Sequence, residues 1–186
     1  MNPATRPDGA AGGASAEPAS VLLLGALGVG ALLRLIHYTA RPSLLIDEAR
    51  LALSVGSRSW LGLLRPLDYD QTAPILFLWT EKLATRLGGV SEYALRALPL
   101  LAALAALPLL LTVARRLLGI PTATLAVAIA AISPQLIQYS GEVKPYSLDL
   151  VTSLGLVWLA LEVGAAPEEG GRRVRLPFID PRTRLA

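Results

Sequence analysis

Between Arg96 and the pair Arg115-Arg116 the chain reads ALPLLAALAALPLLLTVA, residues 97–114, without one charged side chain. A spanning helix needs about 20 mostly apolar residues to cross roughly 30 Å of hydrocarbon. This stretch meets that need, and its two prolines, Pro99 and Pro108, are better tolerated in a membrane helix than in a soluble one. Three further stretches have similar character. Residues 21–38 are uncharged until Arg34, which could snorkel to the interface beside His37 and Tyr38. Residues 120–138 open with Pro121 near a first-turn position and bend near Pro134. Residues 146–163 carry Asp149 and Glu162 near their ends. The expected fold is therefore all-α: a polytopic membrane protein with about four transmembrane helices.

Composition agrees. Of 186 residues, 53% are hydrophobic and 17% charged, and mean hydropathy is +0.53, which soluble domains rarely reach. The absence of cysteine excludes disulfides, thiolate metal sites and a cysteine nucleophile. A single histidine excludes a multi-histidine metal site. A net charge of +3, with no basic run interleaved with aromatics, gives no reason to expect a nucleic-acid partner. The lipid bilayer is the expected surroundings. Residues 1–20 are rich in Pro, Gly, Ala and Ser and read as a disordered cytoplasmic N-terminus. Its poor positive region and the missing small-residue cleavage site make the first span an uncleaved anchor. Residues 164–186 read as an exposed cytoplasmic tail. Lys and Arg counts on the two sides are nearly equal, so charge alone barely orients the chain. The membrane domain is then 21–163. Gly25-x-x-Gly28 and Gly28-x-Gly30 read as small-residue packing faces.

The loop 39–93 carries amphipathic surface helices. From Asp47 to Arg58, Ala49, Ala52, Leu53 and Gly56 fall on one side and Asp47, Arg50, Ser54 and Arg58 on the other. A second helix runs from Pro74 to Leu87. Leu76, Trp79, Leu83 and Leu87 form its apolar side, and Glu81, Lys82, Thr85 and Arg86 its polar side. Thr72 is a candidate cap, and Gly88-Gly89 a candidate stop. Trp60 and Trp79 suit headgroup depth, so these helices are expected at the membrane surface.

Asp47-Glu48 permits two readings that stay open together. Asp47 can be an N-cap with Glu48 in the first turn, or the pair can supply a general base at the membrane face. Glu142-Val143-Lys144-Pro145-Tyr146 groups a carboxylate, an ammonium and a phenol in the loop before the last span, as a phosphate or sugar site would; an ordinary polar loop reads the same way. Asp68, Asp70 and Gln71 have turn chemistry. Arg34, Arg41, Arg50 and Arg96 are candidate phosphate partners or plain rim charges. Asp149, a turn inside its span, should face protein or water.

Ordered along the chain, these pieces resemble a known family. Asp47-Glu48 is followed by Tyr69-Asp70-Gln71-Thr72-Ala73-Pro74-Ile75-Leu76-Phe77-Leu78-Trp79. Next comes Leu87-Gly88-Gly89-Val90-Ser91-Glu92-Tyr93-Ala94-Leu95-Arg96, and then Ser133-Pro134-Gln135-Leu136-Ile137-Gln138-Tyr139-Ser140-Gly141-Glu142-Val143-Lys144-Pro145-Tyr146. The set resembles the N-terminal part of the C-type membrane glycosyltransferases, in the protein O-mannosyltransferase-like and aminoarabinose transferase-like branch. The resemblance implies an inverting transfer of a sugar from a polyprenyl-phosphate donor to an acceptor hydroxyl, on the extracytoplasmic side of the inner (plasma) membrane by a multi-pass protein. It implies Asp47 as the base and Glu48 as its partner, with Glu142, Lys144 and Tyr146 binding substrate beside Arg50 and Gln71. Where some relatives carry a Lys, this chain reads Gln71-Thr72-Ala73-Pro74. Such enzymes continue with further spans, so the expectation is a truncated unit, inactive alone, with a complementing membrane subunit as partner. No metal ligand set is assigned, although carboxylates 47, 48 and 142 could hold a divalent cation. The alternative is a non-catalytic lipid-binding or scaffolding subunit.

Overall fold

The computed structural model describes residues 16–40 and 43–165, with side chains from residue 21 onward. Every regular element among them is helical: α1 (Ala16–Ala40), α2 (Ile46–Ser57), α3 (Ile75–Gly88), α4 (Glu92–Leu118), α5 (Ile120–Ile132), α6 (Pro134–Tyr139) and α7 (Tyr146–Ala165), with short 3-10 turns at Gly62–Leu64 and Asp68–Asp70. The chain is an all-α polytopic membrane protein. Three helices are long and apolar enough to cross a bilayer: Val21–Ala40 within α1, α4 and α7.

The expected third span is not one helix. It breaks at Ser133, whose extended backbone separates α5 from α6. The 13 residues of α5 rise only about 20 Å. The pair α5–α6 nevertheless returns the chain along α1. Leu23 shares a buried cluster with Ala123 and Val127, Gly30 meets Ala131, and His37 meets Gly141. The bend expected near Pro134 is thus a complete break between two helices. Boundaries also move. Helix α1 already begins at Ala16, inside the stretch expected to be disordered, and α7 runs to Ala165. Helix α4 starts at Glu92 because Ser91 caps it, accepting from the Ala94 N–H at 3.2 Å. Residues 1–15, Arg41 and the tail beyond Ala165 lie outside the described residues.

Two sets of contacts mark the ends of the bundle. At one end Arg116 of α4 pairs with Glu162 of α7. At the other, the Tyr38 hydroxyl of α1 donates to the Tyr93 carbonyl of α4 at 2.9 Å. Helices α1 and α5–α6 thus run one way, and α4 and α7 the other. Residues 43–91 form a cap on the Tyr38 end. Its core joins Leu51, Val55, Leu63, Phe77 and Leu78 to Leu95 of α4 and to Val143.

The cap helices sit differently from their expected faces. In α2, Ser54 is buried and Leu53 exposed, the reverse of the expected division, because Leu51 and Val55 point into the core. In α3 most of the expected polar side turns inward, and only Arg86 of it stays exposed. Phe77, Leu78, Glu81, Lys82 and Thr85 are buried, whereas Leu76, Trp79, Leu83 and Leu87 face outward, Leu87 at 82% exposure. An outward apolar stripe suits a helix whose outer neighbour is lipid. Its inner polar groups find partners in the cap: Lys82 Nζ donates to the Val55 and Gly56 carbonyls at 2.8 and 3.2 Å, closing the C-terminus of α2. Thr72 does not cap α3; Pro74 occupies that position.

Of the small residues in α1, only Gly30 is forced by packing. A Cβ there would lie 2.9 Å from Ala131 Cβ and from Leu107 Cδ1, whereas Gly25 and Gly28 face open space. Gly30→Leu is therefore expected to lower thermal stability in detergent by about 1–3 kcal/mol, and Gly25→Leu to leave it unchanged. Melting curves of the two variants check this.

Candidate active site

The residues singled out in the sequence converge on the cap end through one carboxylate. Glu48, almost fully buried, accepts the Leu45 N–H at 2.8 Å on one oxygen and the Val143 N–H at 2.6 Å on the other. The first bond is local. Glu48 stands at the third position of α2 and satisfies an N-terminal donor there, as the acid of a capping box does. The expected cap, Asp47, does not serve; Leu45 holds the cap position. The second bond joins segments far apart in the chain. It places the Asp47-Glu48 turn against the Glu142–Tyr146 loop.

Asp47 points to solvent. Its side chain is 63% exposed, and its nearest charged partner is Arg50, 3.8 Å away. From Arg50 a run of contacts leads to the second loop. The Arg50 guanidinium lies 5.6 Å from the centre of the Tyr69 ring, a cation–π distance. Gln71 Nε2 donates to the Tyr69 carbonyl at 3.3 Å, and Lys144 Nζ donates to Gln71 Oε1 at 3.3 Å. Asp47, Glu48, Arg50, Gln71 and Lys144 thus belong to one connected patch. Glu142 and Tyr146 flank it with other partners. Glu142 accepts from Gln138 Nε2 at 2.6 Å, and the Tyr146 ring packs on Tyr139 with centroids 4.6 Å apart.

Tyr69 was not expected here. It and Asp70 both adopt left-handed backbone, φ 60° and 55°, which costs a non-glycine residue about 1–2 kcal/mol. The turn is held by Arg58, which pairs with Asp68 at 2.7 Å and donates to the Pro66 carbonyl at 2.8 Å. Asp68 is therefore more than a turn former. Beside this turn lies an open groove of about 310 Å³, lined mainly by Leu63, Leu64, Leu67 and Leu78, with Arg65, Gln71 and Thr72 also on its wall.

Other candidates are placed elsewhere. Arg34 neither snorkels nor faces the patch: it is buried and donates to main-chain carbonyls of α1 and α5. Arg96 is buried near the start of α4, 3.6 Å from Glu92. Asp149 is exposed on the first turn of α7. The three carboxylates 47, 48 and 142 do not form a metal cluster: among the described residues no group of three or more acids or histidines converges, and Glu48 is committed to two amides.

A residue profile for dolichyl-phosphate-mannose-protein mannosyltransferase matches residues 72–169, more than half of the chain. The chain belongs to that family. The matched stretch contains Glu142, Lys144 and Tyr146; Gln71 directly precedes it, and Asp47, Glu48 and Arg50 lie outside it, more than 20 residues upstream. Membership supports a membrane glycosyltransferase, and the apolar helices agree with it. No curated protein and no solved structure matches the chain.

Glu81 was read as part of a polar face, yet it is fully buried in the cap and neither carboxyl oxygen has a hydrogen-bond partner. Its spacing from Phe77 and Leu78 already sets it on their face of the helix. Burial pushes its carboxyl up to about 8. Below pH 4.5 the group is protonated whether the cap is folded or not. Above that, unfolding lets it ionise, so stability falls as pH rises toward about 8 and then levels. Glu81→Gln should remove this slope, leaving the variant more stable than the parent at pH 7 by on the order of 3 kcal/mol; melting curves across pH 5–9 check it.

Removing the Glu48 carboxylate strands two amides. Glu48→Ala should speed hydrogen exchange at Val143 by at least about tenfold, the loss of one charge-assisted bond of 1.5–3 kcal/mol, while exchange in the middle of α4 stays as it was.

Proposed function

We propose that the protein takes part in moving a sugar from a polyprenyl-phosphate donor to an acceptor hydroxyl, with inversion, on the extracytoplasmic side of the inner (plasma) membrane. The observation that carries this reading is the Glu48–Val143 hydrogen bond. It joins the segments that carry an exposed carboxylate and two cationic side chains, Arg50 and Lys144, at one end of an apolar bundle, which supports a site that meets a lipid phosphate there.

The chemistry suits those groups. Asp47 takes the proton of the acceptor hydroxyl. The oxygen then attacks the anomeric carbon as the bond from that carbon to the phosphate oxygen breaks, and the polyprenyl phosphate departs from the opposite face. Lys144 and Arg50 neutralise the charge that grows on the leaving phosphate. Gln71 and Tyr69 hold those cations in place, and Glu142 and Tyr146 offer hydrogen-bonding groups to the sugar. The apolar groove beside Gln71 suits the first isoprene units of the donor. Glu48 works as a positioning residue, since both of its oxygens are occupied.

Asp47→Asn is expected to abolish transfer from a polyprenyl-phosphate sugar in membranes carrying the protein, with the protein's insertion and amount unchanged. Lys144→Met should chiefly weaken donor binding, seen as a raised KM. Radiolabelled sugar transfer measures both; normal activity in Asp47→Asn would instead favour a non-catalytic, lipid-binding role for the patch.

A further inference from the structure

The break between α5 and α6 leaves carbonyls without backbone donors. In a continuous helix the N–H of residue 134 would bond the Ala130 carbonyl, but residue 134 is proline and has no N–H. The Ala131 carbonyl faces the extended turn at Ser133, where the helix has already stopped. Inside hydrocarbon each such group costs several kcal/mol unless protein satisfies it. Arg34 does so. Its Nη1 donates to the Ala131 carbonyl and its Nη2 to the Ala130 carbonyl, both at 3.1 Å, while Nη1 also holds its own helix at the Gly30 carbonyl, 2.9 Å away. Arg34 is 2% exposed, and among the described residues no carboxylate is paired with it.

Arg34 is the middle of three successive contacts on one face of α1. Gly30 lies a turn below it against Ala131, and His37 lies a turn above it against Gly141. A Cβ on Gly141 would come within 2.7 Å of the His37 ring, so a side chain there would require that ring to move. The next residues are Glu142 to Tyr146.

We propose that Arg34 is a positioning residue: by supplying the donors that Pro134 removes, it fixes α6 and thereby the loop carrying Glu142, Lys144 and Tyr146. Its charge is spent on main-chain carbonyls rather than on substrate. The structural part of this inference stands by itself, and its consequence for donor binding rests on the function proposed above.

The chain has no cysteine, so spin labels on Leu53→Cys in α2 and Gln135→Cys in α6 report the cap-to-α6 distance alone. In the full-length protein in lipid nanodiscs, Arg34→Leu is expected to broaden that distance distribution by several ångströms, of the order of one helical turn's rise. Pro134→Ala restores the backbone N–H, so the double variant Arg34→Leu/Pro134→Ala should return it to near the parent width. Where Arg34→Leu alone fails to fold, recovery of folded protein in the double variant is the same result. A distribution that Arg34→Leu leaves narrow, or a defect that Pro134→Ala does not relieve, overturns the inference. Farnesyl phosphate titrated into the same samples separates the two proposals. Absence of binding to the parent protein counts against the donor reading and leaves the distance result untouched. Binding weakened in Arg34→Leu and recovered in the double variant supports both.

Discussion

A buried carboxylate accepting two main-chain N–H groups ties this molecule's functional end together. Glu48 alone spans from the start of α2 to Val143, and without it the cap and the α6–α7 loop have few polar bonds in common; the other is the longer Lys144–Gln71 contact. Charge-assisted bonds to backbone N–H are short and about twice as strong as neutral ones, and burial keeps water from competing for them. Because the second acid of the Asp-Glu pair is consumed in this way, the first is held at a defined position while its own carboxylate is open to solvent. A buried acid bonded to backbone and an exposed acid therefore stand side by side, and the rigidity of one confers position on the other.

The same division recurs in the bundle. Arg34 and Lys82 are cations whose donors close helix ends, at α5 and α2 respectively. Helix C-termini carry partial negative charge and unbonded carbonyls, so a buried cation is stabilised there without a carboxylate. Lys144 and Arg50, by contrast, are partly exposed and bonded only loosely. Burial thus separates Arg34 and Lys82, which hold backbone, from Arg50 and Lys144, which stay open to solvent.

Helix α3 shows why a hydrophobic pattern does not by itself say which way a helix faces. Its stripe of Leu76, Trp79, Leu83 and Leu87 is regular and was read correctly as a stripe, but it turns outward. In water that arrangement would be unfavourable by the full transfer free energy of those side chains. Against lipid the ordinary rule relaxes, and the inner face is free to carry Glu81, Lys82 and Thr85. The unpartnered Glu81 carboxyl is the cost of that arrangement and makes the cap sensitive to pH.

The sequence by itself determined the all-α membrane class, the long apolar helices, the two short motifs at 47–48 and 142–146 and their kinship, because length, apolar run and residue order are local properties. It also carried the signal for the break, since Pro134 removes a donor wherever the helix lies. Only the tertiary structure decided that Arg34 meets the carbonyls at the end of α5, that Glu48 rather than Asp47 caps α2, that the apolar stripe of α3 faces outward, and that Tyr69 joins Arg50 to Gln71. Each of these depends on which distant carbonyl, amide or ring a side chain meets, and that is set by how the helices pack, which no local pattern encodes.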